Sequence, residues 1–151
     1  MIGPIYRMGG STMELFMANK TLVFNRLKHS LELLAAPSEI QLRFVPDFGY
    51  RADELYLGFD HWRSQLLVNF ESELAADQRN SLNSLQELFV LMDNHCWNDT
   101  AVACSSEWEN VRRLSARALG AFGWSDSAPL MATGEISRRR LNTPSLKDSS
   151  A

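Results

Sequence analysis

The sequence predicts an all-α protein: a compact bundle of four main amphipathic helices with a short extra helical turn and a disordered C-terminal tail. Three observations predict it. Apolar residues recur at spacings of three and four along most of the chain, the period of a helix that buries one face. Hydroxyl residues followed three positions later by Glu or Gln open several of these stretches. No second clear strand is present to pair with the one short stretch that could form one.

Residues 1–11 read as a flexible leader. Gly3-Pro4 and Gly9-Gly10 disfavour order there, and Met8 and Met13 are alternative starts. The helical domain is expected over residues 12–124. Ser11-Thr12-Met13-Glu14 forms a capping box, and Val23, Leu27, Leu31 and Leu34 then keep to one face. This pattern admits one break near Asn19. Pro37 ends it, because the ring clashes with the preceding turn.

Ser38-Glu39-Ile40-Gln41 is a second capping box, opening a short helix to Phe44; a strand over residues 40–45 is the alternative. Pro46-Asp47-Phe48-Gly49 has the composition of a turn. Residues 52–70 carry the clearest period in the chain, through Leu55, Phe59, Trp62, Leu66 and Phe70. Asp53 and Glu54 fall in the first turn, where they complement the helix dipole. Gly58 costs this helix about 1 kcal/mol relative to Ala, and is expected to admit a neighbouring backbone.

Asp77 is the expected cap of a helix over residues 78–94, with Leu82, Leu85, Leu88, Phe89 and Met92 as its stripe. Residues 93–104 read as an irregular connection anchored by Trp97. Ser106-Glu107-Trp108-Glu109 is a third capping box, introducing Val111, Leu114, Ala118, Leu119 and Phe122, with Gly120 and Gly123 at the end. Residues 125–151 are rich in Ser, carry two prolines and the Arg138-Arg139-Arg140 run, and have too few apolar side chains to order; they read as a disordered tail.

Charge is distributed unevenly. Residues 37–109 hold thirteen acidic and four basic side chains, a net −9 against +6 for the flanks and −3 overall. An acidic middle suits a basic protein partner and disfavours nucleic acid, which needs a basic face to displace counterions. The longest apolar run, residues 88–92, is far too short to span a membrane. Two cysteines, Cys96 and Cys104, make no disulfide framework and fit a reduced, cytoplasmic protein. Phosphate-binding loops, dinucleotide fingerprints, nucleophile elbows and zinc-protease motifs do not occur in the chain, and no cofactor is implied.

The candidate site residues follow from charge and from the aromatics. Tyr50 and Tyr56 fall in the loop or off the main stripe, where they could anchor an interface. Around them lie Asp47, Asp53, Glu54 and Asp60. These six form the expected protein-binding surface of a monomer or homodimer. The alternative is a metal-binding or enzymatic bundle using Asp53, Asp60 and His61, joined by His95. Residues seven apart on a helix are about 10 Å from each other, so such a site needs ligands from other helices.

Ser38-Glu39-Ile40-Gln41-Leu42, Pro46-Asp47-Phe48, Ala52-Asp53-Glu54-Leu55 with Phe59-Asp60, Trp97, and Ser106-Glu107-Trp108-Glu109-Asn110-Val111-Arg112 together give a layout. It resembles small helical bacterial proteins of unassigned activity, some of them associated with toxin–immunity loci. The resemblance covers about residues 20–124 and rests on caps, core aromatics and acidic first turns. It implies a non-enzymatic, immunity-like inhibitor that occludes a basic partner. It transfers no catalytic residue.

Overall fold

The computed structural model describes the backbone of residues 2–44 and 50–125, and side chains from Thr12 onward. Among these described residues six helices follow in order: α1 (Ile2–Ala35), α2 (Ser38–Phe44), α3 (Arg51–Phe70), α4 (Ala76–Leu91), α5 (Asp99–Cys104) and α6 (Ser106–Ala121). Short 3-10 turns occupy Glu71–Glu73 and Asn94–Cys96. Among the described residues there is no strand, and residues 40–44 are helical as expected, although the Gln41 side chain meant to close the capping box bonds Leu33, Leu34 and Arg112 instead. Asp47 and the predicted tail from Asp126 onward lie outside the described residues.

The core is where the periodicity puts it. Val23, Leu27, Leu31 and Leu34 of α1 meet Leu55, Phe59, Leu66 and Phe70 of α3. Leu82, Leu85 and Phe89 of α4 and Trp108, Val111, Ala118 and Leu119 of α6 complete it. α1 packs along both α3 and α6, and α4 lies against α6. Trp62, Leu88, Leu114 and Phe122 are half-buried at the margins.

Several details differ from expectation. α1 is continuous through Ser11 and Asn19, so the Ser11 box is not its start. Pro4 sits in its first turn, where the missing N–H would have had no helical partner anyway. The cap of α4 is at Ala75 rather than Asp77: the Ala75 N–H donates to Gln78 Oε1 at 2.8 Å, and Asp77 lies in the first turn. The cap of α6 is Ser105 rather than Ser106, with the Trp108 N–H donating to Ser105 Oγ at 3.1 Å. No backbone outside α3 comes within 4 Å of where a Gly58 methyl would sit; that methyl would meet Ser30 Oγ at an ordinary 3.7 Å.

The expected irregular connection contains α5. Asn98 caps it, its Oδ1 accepting from the Ala101 N–H at 2.8 Å. At the far end of α6 the chain closes in a Schellman turn. The Trp124 N–H donates to Leu119 O and the Gly123 N–H to Gly120 O, with Gly123 at φ +75°.

Gln41 ties four helices together. Its side chain is fully buried in α2. Nε2 donates to the carbonyls of Leu33 (3.2 Å) and Leu34 (2.9 Å), in the last turn of α1, where carbonyls lack helical partners. Oε1 accepts from Arg112 Nη1 of α6 at 2.8 Å, and the same Nη1 donates to Val102 O of α5 at 3.1 Å.

Candidate functional site

A cleft of about 440 Å³ opens between the first half of α3 and the turn that follows α4, lined by Asp53, Tyr56, Leu57, Asn94 and Trp97. Its α3 wall is held from the N-terminal end. Arg51 Nη1 meets Asp99 Oδ2 of α5 at 2.8 Å, which fixes the start of α3 against the start of α5. Asp53 and Glu54 follow in the first turn, and neither has an ion-pair partner among the described residues.

Tyr56 is anchored at both its hydroxyl and its ring. Its hydroxyl accepts from Gln86 Nε2 of α4 at 3.0 Å. Its ring lies 4.8 Å from Phe89 and 5.8 Å, edge on, from Trp97. Trp97 in turn stacks toward Phe89 at 6.1 Å and meets Trp108 edge on at 6.2 Å. The indole N–H of Trp108 donates to Cys96 O at 2.7 Å, within the buried core. The aromatic wall is therefore rooted in the core, and a ligand there would meet ordered rings.

The turn beside Trp97 is organised by Asp93. Its carboxylate accepts from the His95 backbone N–H at 3.0 Å and lies 3.2 Å from the His95 ring, and these bonds, the backbone one first, hold its pKa below the usual carboxylate value. Cys96 is buried, and burial, followed by the charges of Glu107 and Asp93, raises its thiol pKa. Cys104 is exposed at the end of α5, and both cysteines are free thiols.

Of the six predicted binding residues, the structure brings Asp53 and Tyr56 into the cleft. Glu54 is exposed on the same turn, and Tyr50, 76% exposed, stands at the N-cap of α3 with no side-chain cap bond. Asp60 is engaged instead with Arg63 at 3.0 Å, one turn along α3. The sequence pointed to Trp97 only as an anchor of the connection; Leu57 and Asn94 were missed. Leu57 carried a signal, being a large apolar residue off the buried stripe of α3. Asn94 carried none.

The residues of the alternative do not converge. Among the described residues no three His, Cys, Asp or Glu side chains are grouped to hold a metal. His61 turns onto the edge of Trp62, with ring centres 4.5 Å apart, while Asp60 faces Arg63. A second groove of about 450 Å³ runs between α4 and α6, over Asp77, Asn80, Ser81, Ser84, Leu114 and Arg117. It has no aromatic wall and holds none of the predicted residues. Among the described residues no helix is long and apolar enough to cross a membrane.

No protein-family model matches the chain, and no curated protein or solved structure shows significant similarity to it.

Proposed function

We propose that the protein is a non-enzymatic, stoichiometric binding module that takes a basic protein partner at the α3 cleft. The observation that carries this reading is the placement of Asp53, a carboxylate without a cation partner among the described residues, beside the anchored rings of Tyr56 and Trp97. Aromatic side chains held in place lose little entropy on binding and dominate interface energies. A lysine or arginine of the partner would reach Asp53 and Glu54 while an apolar side chain enters between Leu57 and Trp97. The excess of nine negative charges over residues 37–109 would steer a basic surface toward the bundle and raise the association rate more than the affinity.

An immunity or antitoxin-like role in the cytoplasm is the specific form of this proposal. The acidic cleft would cover the basic, substrate-binding face of a nuclease-like toxin and act by occlusion. Two free thiols suit the reducing compartment in which such a complex would form. The test is affinity capture from the source cell's lysate at low salt, eluted stepwise with rising salt and read by mass spectrometry. One basic protein recovered near stoichiometrically and released by salt is expected. Recovery of no enriched basic protein would sink the reading.

A further inference from the structure

The inward stripe of α1 is longer than the bundle that covers it. Every residue from 12 to 19 is exposed, and among the described side chains of α1 the first buried one is Val23. Within that overhang Met13 is 63% exposed, Leu15 62%, Phe16 45% and Met17 50%. Phe16 precedes Val23 by seven residues, Met17 precedes Phe24 by seven, and Met13 precedes Leu27 by fourteen. Seven residues are close to two helical turns, so Met13, Phe16 and Met17 continue the face that α1 buries lower down. Phe16 marks the rim, with its ring 5.4 Å from Phe70, the last residue of α3. Beyond it the stripe has no cover among the described residues. Leu22, 44% exposed, and Leu15 lie roughly 100° round the helix and widen the apolar surface.

We propose that this overhang is a homodimer interface, in which the exposed stripe of α1 packs against the same stripe of a second copy across a twofold axis. Area and charge both select this occupant. The five apolar side chains and the polar flanks between them present on the order of 500 Å² per chain, at the upper end of what a monomer leaves exposed in one patch. Two copies face to face bury about 1,000 Å², the lower bound for a specific interface. The segment 12–22 carries one acid, Glu14, and one base, Lys20, so two copies meet without net repulsion, although each chain is −3 overall. Lys20 is already paired with Glu73, which holds the root of the overhang to the turn after α3. A strongly charged partner finds no complementary field here, and a lipid surface would call for a more basic polar face. The inference is independent of the α3 cleft, which faces other elements.

The test is sedimentation equilibrium on the full-length protein from about 1 to 100 μM, range chosen to bracket a weak dimer. Wild type is expected to move from the chain mass of 17.1 kDa toward twice that value. The variant carrying Met13→Glu and Met17→Lys is expected to stay monomeric, its dimer constant weakened at least tenfold. Its charges form an i,i+4 pair in the favoured order, so the helix itself is retained, which circular dichroism checks. Val68→Lys, at an exposed site on α3, should leave dimerisation unchanged. A wild type that stays at 17.1 kDa throughout, or a dimer that survives the double substitution, would overturn the proposal. So would a monomer that instead pellets with vesicles of mixed phosphatidylcholine and phosphatidylglycerol.

Discussion

Replacing Gln41 with Leu would remove three hydrogen bonds at once: two to the carbonyls that end α1 and one from Arg112. The half-buried guanidinium would keep Val102 O but lose its side-chain acceptor. We expect a loss of about 2–3 kcal/mol in urea unfolding, set by buried groups left unsatisfied. A loss under about 0.5 kcal/mol would mean that water replaces the amide fully. The sequence marks Gln41 only as the closing residue of a capping box, an exposed role, whereas its side chain bonds Leu33, Leu34 and Arg112. Its role exists only once four helices converge. The thiols make a second residue-level prediction. A thiol-specific disulfide reagent at neutral pH should modify Cys104 at once, and Cys96 only when the protein unfolds, because Cys96 is buried and its thiolate disfavoured. Asp93 adds a pH dependence. Its folded pKa is depressed, so its stabilisation is present above the ordinary carboxylate value and disappears as pH falls through the folded one. Melting temperatures of wild type and Asp93→Asn should differ at pH 7 and converge as acidification carries the pH below the depressed folded pKa of Asp93.

At the scale of the element, the caps are discriminating. Ser105→Ala should cost about 1 kcal/mol, whereas Ser106→Ala should cost little, because only Ser105 accepts from the Trp108 N–H. The reverse order in thermal unfolding would restore the start of α6 to Ser106. Gly58→Ala should stabilise α3 by about 0.5–1 kcal/mol, since the added methyl meets Ser30 Oγ at 3.7 Å and the mid-helix glycine penalty is relieved. Gly123→Ala should go the other way by about 1 kcal/mol: its φ of +75° is strained for an L residue, although space is open. The long helices were legible because each holds several turns, and four or five apolar repeats fix a face. α5 was not, because six residues give fewer than two turns and no period to read. The caps were misplaced by one or two positions where Ser105 and Ser106, or Ala75 and Asp77, compete for the same end. Local sequence supplies several donors and acceptors, and the tertiary angle of entry chooses among them.

Over the whole molecule, the bundle and its core were readable from periodicity, while the site was readable only in part. Asp53 and Tyr56 could be singled out from charge and from their place off the buried stripe. Their convergence with Asn94 and Trp97, some forty residues later in the chain, is a product of the packing of α3 on α4. Asp60 looked equivalent to Asp53 in sequence, but its neighbour three residues on is Arg63, which neutralises it. The same distinction governs the proposed binding. Substituting Asp60 should matter less than substituting the pair Asp53 and Glu54, which have no cation partner among the described residues. The most direct measurement is a parallel affinity capture from the source lysate, with wild type and the Asp53→Asn, Glu54→Gln variant as baits at low salt. The account predicts that one basic protein binds wild type, elutes as salt rises, and is recovered at least tenfold less on the variant. Equal recovery on both baits, at every salt step, would contradict it.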